Sequence, residues 1–371
     1  MNKVDGDGTC LPFPADRNIR AGAALAVTIY DVALKAGVGI GTVSRAINNH
    51  PNVHPETKAR ILRIAQELNY LPHALAQSLA RKKTQSVGCI VPFLTSYFTS
   101  ELLKHIQRAL TELNYDLILF SLDCMERLSK MVDRVLSERR VDGILSISVG
   151  LTQKHIDRLV HQGLPVVMVD GLSQKVDYVS VDNLRGAQQA TEHLIRLGHH
   201  RIGLINGSLQ SSPARLRQQG FVKALNESGR PVDPTLWVAD KSNRRENGFT
   251  EETGYAAMLR LLNLGKNRPT ALFAADDVLA LGAMHAAQEK GVRIPDDLAM
   301  VGFDDIEFAK FLGLTTMRQP AVEMANRAVK HLVDRMQVTP SARIALELMP
   351  ELIVRESCGC RRHFCLAEQL S

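Results

Sequence analysis

From Val87 onward the chain repeats one pattern: a short apolar run of strand length, then a longer stretch with helical periodicity. The strand-length runs are SVGCIVP, YDLILFS, VDGILSIS, LPVVMVD, RIGLING, TALFAAD and LAMVGFD, and ELLKHIQRALTEL and AAMLRLLNLG are amphipathic stretches between them. Strands alternating with helices predict an α/β architecture with parallel sheets. There are more runs than one compact sheet of this kind usually takes, so the pattern predicts two lobes. At 371 residues the chain has room for a further, smaller domain.

That smaller domain precedes the alternation. Thr28 stands three residues before Asp31 at the head of an apolar-periodic run, a capping-box-like helix start. Ile29, Val32, Ala33 and Ala36 fall on one helical face. Gly37 supplies a turn, since glycine tolerates positive φ. A second short helix is expected over 40–48, with Val43, Ala46 and Ile47 inside and Thr42, Ser44, Arg45 and Asn48 outside. Two short helices joined by a glycine turn are the helix-turn-helix pattern, whose second helix enters the major groove of DNA. Pro55 opens a third helix, with Ile61, Ile64, Ala65 and Leu68 on its buried face.

Charge points the same way. Between Thr28 and Lys83 stand eight basic residues (Lys35, Arg45, Lys58, Arg60, Arg63, Arg81, Lys82, Lys83) and three acids (Asp31, Glu56, Glu67), a net +5 of the chain's formal +6. A basic module on a near-neutral remainder is the footprint of a phosphate binder. No apolar run approaches the length needed to span a membrane. AGAALAV lacks the layout of a signal peptide, so no export is expected.

The stretches VTIYDVALKAGVGIGTVSRAIN and ELNYLPHALAQSLARKKTQSVG resemble the DNA-binding head of the lactose/galactose repressor family, and VGFDD, LTTMRQP and VRESCGC continue the resemblance to about Cys360. It implies an N-terminal all-α helix-turn-helix head with a hinge helix, followed by an α/β two-lobed periplasmic-binding-protein-like core. Residues 1–27 are then a disordered extension, 28–73 the head, 74–83 the hinge helix and linker, 84–358 the effector-binding and dimerisation core, and 359–371 a tail. The lobe crossings are expected near Asp182–Arg185, Leu314–Gln319 and the final strand. DNA contacts are implied at Thr28, Tyr30, Thr42, Ser44, Arg45 and Asn48, and at Leu79 and Ala80 of the hinge, where Leu79 would wedge into the minor groove. Two departures stand in the head: Gly39 where the family often has Ser, and Gly41 where it places a specificity residue.

In open α/β sheets ligands sit outside the carboxyl ends of strands. Three runs end there in acids: Asp170, the pair Asp276-Asp277, and the pair Asp304-Asp305. Carboxylates accept hydrogen bonds from neighbouring hydroxyls, which suits a sugar or polyol. Asp276 is read as a ligand group and Asp277 as a helix cap, with Asp304 the ligand group of the third pair. Arg217 matches the family's effector arginine, and Phe98 and Phe249 match positions where the family sets aromatics against the ligand. Asp276 replaces a frequent Asn and Gly171 a frequent Arg, which argues against a strongly anionic effector.

The six cysteines, in a long chain without a leader, are expected to be reduced thiols. Cys358, Cys360, His363 and Cys365 crowd together, but the family ends in a similar SCGC without metal, and no metal or cofactor is assigned. No serine sits in a nucleophile elbow and no histidine has a motif partner. A sugar-binding transport receptor and an α/β enzyme using the strand-end acids compete with the regulator; the basic head opposes the first, the missing catalytic set the second. The sequence therefore predicts a cytoplasmic, homodimeric bacterial regulator that binds a palindromic operator, expected to repress. Its effector is read as a sugar, with a nucleobase-type or co-repressing effector as the alternative.

Overall fold

Thr28 opens the first helix, α1 (Ile29–Ala36), through its own backbone N–H and hydroxyl, which both donate to the Asp31 carboxylate at 2.8 and 2.7 Å. Those bonds, the backbone one first, hold the Asp31 carboxyl below its ordinary range. Gly37 ends α1 in the left-handed region (φ +64°), and Gly39 starts α2 (Ile40–Ile47) with no side chain to cap it. Pro55 begins α3 (Pro55–Glu67). The expected stripes meet: Val32, Ala33, Ala36, Val43, Ala46, Ile61, Ile64 and Ala65 are buried together, and Ile29, Ile47 and Leu68 pack at the margin. A core of about eight small and medium side chains suffices because the helices are short and cross closely.

The computed structural model describes residues 27–70, 83–92, 96–122, 127–240, 246–337 and 342–360. They belong to two compact units that divide between Lys82 and Lys83. Leu79, Ala80 and the rest of the expected hinge helix lie outside the described residues, as do the N-terminal extension and most of the tail.

The second unit holds two six-stranded sheets. The first contains β1 (Ser86–Val91), β2 (Asp116–Ser121), β3 (Gly143–Ile147), β4 (Val166–Val169), β5 (Asp177–Val181) and β11 (Ala345–Leu348), in the order β11-β5-β4-β3-β1-β2, parallel throughout. The second contains β6 (Ile202–Asn206), β7 (Trp237–Ala239), β8 (Ala271–Ala274), β9 (Ala299–Asp304), β10 (Thr315–Arg318) and β12 (Glu351–Ile353), in the order β12-β10-β9-β8-β6-β7. Only β12 runs antiparallel to its neighbour. Each of the seven apolar runs contains one of these strands. Except in the edge strand β2, where Leu119 is exposed, they are apolar at successive positions because both sheet faces are covered: Val87, Cys89 and Val91 of β1 join one hydrophobic cluster and Ile90 the opposite one.

Helices α4 (Tyr97–Glu112), α5 (Leu128–Glu138) and α6 (Gln153–His161) connect the first sheet; α7 (Asn183–Arg196), α8 (Ser212–Glu227), α9 (Glu251–Leu262), α10 (Asp277–Glu289) and α11 (Glu307–Phe311) connect the second. The long α12 (Ala321–Gln337) returns to the first sheet, where Met324, Ala328 and Leu332 pack with Leu102 and Ile106 of α4. The chain thus changes lobe three times: at Asp182 after β5, at Gln319-Pro320 after β10, and at Met349-Pro350 between β11 and β12.

Two expectations are corrected. Asp276, not Asp277, caps α10: its carboxylate accepts from the Leu279 N–H at 2.7 Å. Two adjacent aspartates satisfy the cap preference equally in sequence; the backbone at Asp276 is extended (φ −151°, ψ 172°), the cap conformation, whereas Asp277 is already helical. The cysteines are also not all reduced: Cys89 and Cys358 are free and buried, but Cys360 is in a disulfide whose partner lies outside the described residues. Disulfide pairing depends on which thiols meet in space, and sequence spacing does not report that.

Among the described residues no helix is long and apolar enough to cross a membrane. Helices α7 and α8 approach backbone to backbone at Gly220, where a Cβ would come within 2.1 Å of the Leu184 carbonyl oxygen and 2.9 Å of the Gln188 nitrogen. Gly220→Ala would add helix propensity, worth about 1 kcal/mol, yet force the two helices apart. Overpacking costs typically about 1–3 kcal/mol, so the expected result in urea denaturation is a net loss of stability. An unchanged or raised midpoint would show that the helix pair can open at no cost.

Candidate functional site

The carboxyl ends of the strands in both lobes face one cleft. Ser148 follows β3, Asp170 follows β4 and Asp304 ends β9; all three are non-glycine residues at positive φ (+51°, +53° and +115°). That geometry turns each side chain off its strand and toward the gap. All six residues expected to bind the effector, Phe98, Asp170, Arg217, Phe249, Asp276 and Asp304, line this single cavity of about 700 Å³, open mouth included.

Arg217, on α8, is 4% exposed. Its Nε donates to Asn183 Oδ1 at 2.8 Å, Nη1 donates to the Ala275 carbonyl, and Nη2 lies 3.4 Å from Asp304 Oδ1. Its guanidinium carbon sits 3.7 Å from the centre of the Phe303 ring and 6.0 Å from that of Phe249. Asp304 also accepts from Gln319 Nε2 at 2.6 Å. Burial pushes the Asp304 carboxyl up to about 6; Arg217 and the Gln319 bond oppose the shift, and the charge of Asp170 adds to it. Asp170 accepts from the Ser148 hydroxyl at 2.7 Å and is likewise raised by burial, against that bond and the Arg217 charge. Asp276 reaches the cavity while capping α10, so the ligand role proposed for it and the cap fall on one side chain.

Asp277 points away from the cleft. It accepts from the Thr316 hydroxyl at 2.6 Å and the Ile306 N–H at 3.0 Å, so it ties α10 to β10 and to the start of α11. Burial, then Asp304, raise its pKa well above the ordinary value. Asp305 is clasped by Arg318 at 2.7 Å and Arg355 at 2.6 Å. Each strand-end pair therefore divides into one acid facing the cleft and one bracing the fold.

Sequence reasoning missed Asn183, Gln319 and Ser148. Asn183 and Gln319 sit at two of the predicted crossings, and a buried-type polar residue at a crossing beside a strand-end acid was the available signal. Asp170 Oδ1 and Gln319 Oε1 are buried with no hydrogen-bond partner among the described residues.

On the head, Arg45 is exposed and its Nε donates to the Gly41 carbonyl at 3.0 Å, so it lies along its own helix over the bare glycine. Thr28 and Tyr30 are exposed; Thr42, Ser44 and Asn48 are half-buried. Asn48 donates back to the Ser44 carbonyl at 2.9 Å.

One serine–histidine contact lies outside the cleft, with Ser129 Oγ 2.9 Å from His155 Nε2. On its other side the ring's Nδ1 lies 3.3 Å from the Thr152 N–H and 3.1 Å from the Thr152 hydroxyl, and neither Ser129 nor His155 lines the cleft.

The raised Asp304 carboxyl makes the core pH-sensitive. Its folded value of about 6 lies above the ordinary 3.8, so the stability it contributes is complete below about pH 4 and is lost as pH rises through about 6, on the order of 3 kcal/mol. Asp304→Asn should flatten that part of the stability–pH curve in urea titrations, and it also removes the charge that helps to raise Asp277. Parallel curves would place the Asp304 carboxyl at its ordinary value.

Residues 28–73 match the family model for bacterial regulatory proteins, lacI family, and residues 191–358 match the periplasmic binding protein-like domain. The HTH-type transcriptional repressor PurR of Pasteurella multocida (strain Pm70) is 36% identical over 340 residues, 90% of this chain and 99% of its own length. Among solved structures, the lac repressor dimer bound to operator and the anti-inducer ONPF aligns over 90% of this chain and 99% of its own, at 28% identity and TM-score 0.77. The transcriptional regulator CelR–cellobiose complex aligns over 89% of this chain and 99% of its own, at 31% identity and TM-score 0.67. With its helix-turn-helix head and two-lobed core, this chain belongs to the lacI family of bacterial regulatory proteins, the DNA-binding transcriptional repressors that answer to small effectors.

Proposed function

We propose that the chain acts as a cytoplasmic homodimer on a palindromic operator, and that a neutral sugar in the cleft controls it without being chemically changed. The carrying observation is the pair of buried, unpartnered acceptors, Asp170 Oδ1 and Gln319 Oε1. A buried acceptor without a donor loses its hydration uncompensated, so the fitting ligand brings O–H or N–H donors. Sugar hydroxyls do this, and they also accept from Arg217, whose guanidinium is the one cationic side chain of the cavity wall among the described residues. Phosphate or carboxylate would face the three acids Asp170, Asp276 and Asp304 against a single arginine whose charge is already paired with Asp304. The cellobiose named for the CelR complex is a ligand of the kind inferred. A nucleobase-type ligand is the second reading, favoured by the two aromatic walls, Phe98 and Phe249.

On the head, Thr28, Tyr30, Thr42, Ser44, Arg45 and Asn48 are the proposed DNA contacts, with Leu79 and Ala80 of the hinge beyond the described residues. Coupling follows from differential binding: a ligand that prefers one lobe arrangement shifts operator affinity by that preference and no more.

A thermal-shift panel of neutral sugars, sugar phosphates and free nucleobases tests the effector class, since a ligand of the folded state raises its melting temperature. Neutral sugars are expected to stabilise the protein and sugar phosphates to be inert; stabilisation by nucleobases alone would replace the sugar reading. Arg217→Ala should remove the shift while gel-shift affinity for the operator persists, and a full response in the mutant would place the effector elsewhere.

Arg45→Ala addresses the head. Loss of an arginine–guanine contact costs about 1–3 kcal/mol on the cognate site and relaxes preference at that base pair. Equal weakening on cognate and random DNA, with the slope of affinity against salt reduced, would make Arg45 a phosphate contact instead.

A further inference from the structure

Gln319 is the first residue after β10 and begins the second crossing between the lobes. Its side chain is 4% exposed and lines the cleft. The amide nitrogen donates to Asp304, while the amide oxygen is buried and has no partner among the described residues. Turning the amide over would set its oxygen against the Asp304 carboxylate, so the unpartnered atom is the oxygen and not the nitrogen.

The other two crossings reach the same place. At the first, Asn183 accepts from Arg217 Nε while its own Nδ2 donates back to the Val181 carbonyl at 3.2 Å. At the third, Pro350 packs beside Phe303 against α7: a Cβ at Gly186 would lie 2.6 Å from Pro350 Cγ and 2.8 Å from Phe303 Cε2. Phe303 is the ring beneath the Arg217 guanidinium. All three crossings therefore converge on one buried arginine, the first directly, the second through Asp304 and Gln319, the third through Phe303.

We propose that Gln319 is an effector-contacting residue that couples the cleft to the hinge: its oxygen accepts from a ligand hydroxyl while its nitrogen stays on Asp304, so filling the cleft fixes the second crossing against Arg217. This rests on the reading above that the effector occupies this cleft. Gln319 acts on the other crossings only through Asp304 and Arg217, and in that respect it is a positioning residue. A coupling claim of this kind needs a shared two-state element that both sites bias; the crossings are that element, because every change of lobe angle must bend them.

Hydrogen exchange on the full-length chain, followed in peptides covering the three crossings, tests the link without ligand. Gln319→Leu should raise exchange at all three crossings by about tenfold and leave β1 and β3 unaffected. Gln319→Glu separates coupling from mere packing. Near pH 5 one proton can be shared between Glu and Asp304 and preserve the link, whereas near pH 8 the two carboxylates repel. Asp170, Asp277 and Arg217 also face Asp304 and are unaltered, so the wild type at both pH values is the reference. Wild-type protection near pH 5 and loss near pH 8, after correction for intrinsic rates, is expected; equal behaviour at both, or no effect of Gln319→Leu at the crossings, overturns the link.

The ligand arm uses cellobiose, D-ribose and D-glucose. A sugar that stabilises the wild type should bind Gln319→Leu about tenfold more weakly and no longer protect the crossings; undiminished binding or protection overturns the contact. If none of the three stabilises the wild type, the contact falls together with the sugar reading, and the ligand-free arm still judges the link.

Discussion

The core depends on how a guanidinium is kept out of water. Arg217 is 4% exposed in the middle of a protein, and a buried charge is tolerable only when its donors are matched and its counter-charge is near. Asn183, the Ala275 carbonyl and Asp304 take its N–H groups, and Phe303 covers its face. These partners come from a lobe crossing, the end of β8 and the end of β9. The arginine therefore requires those three pieces of backbone to stay where they are. Once Arg217 is fixed, Asp304 must sit beside it in spite of its own burial, and a carboxyl with an ordinary value of 3.8 is held at about 6. Desolvation outweighs the arginine's attraction there, a sign that the cleft is drier than a surface groove.

The same region carries backbone strain. Ser148, Asp170, Asp304 and Asp305 all have positive φ without being glycine, which costs on the order of 1 kcal/mol or more at each. Aspartate and asparagine tolerate this region better than other residues, and three of the four are aspartates. The sheets supply the offset. β3, β4 and β9 are buried along their length, so the last residue of each is held, and the chain must turn sharply just beyond it. Asp277 and Asp305 hold the turn after β9 from behind, through Thr316, Ile306, Arg318 and Arg355.

Much of this was legible in sequence, for identifiable reasons. Six of the seven strands announced themselves because a doubly covered strand has no polar face to confuse its pattern, as in β1, where alternate residues serve opposite cores; β2, an edge strand with Leu119 exposed, is apolar for another reason. The head was legible because Thr28, Asp31, Gly37 and Pro55 mark helix ends by local chemistry that needs no tertiary context. Asp170, Asp276, Asp304, Arg217 and the two phenylalanines, named from sequence, line one cavity. The division of labour between Asp276 and Asp277 was not legible, because it depends on backbone angles that two identical side chains cannot encode. Asn183 and Gln319 escaped because a polar residue in a connecting segment looks like surface until its burial is known. The Cys360 disulfide escaped because it is decided by proximity, not spacing.

The bare backbone at Gly41 carries a consequence for what the head can distinguish. Beyond the helix's own neighbouring backbone, a Cβ built there meets only Arg45 Nη2 within 4 Å, at 3.7 Å, so a side chain has room at the position. A helix that reads DNA through its exposed face has one fewer letter with which to spell its address. Each base pair left unread forgoes roughly 1–3 kcal/mol of discrimination and admits about four times as many genomic sequences to the acceptable set. With that position bare, any base preference of the helix falls to its other exposed side chains. Restoring a side chain at that one position would narrow the vocabulary without disturbing the helix that speaks it.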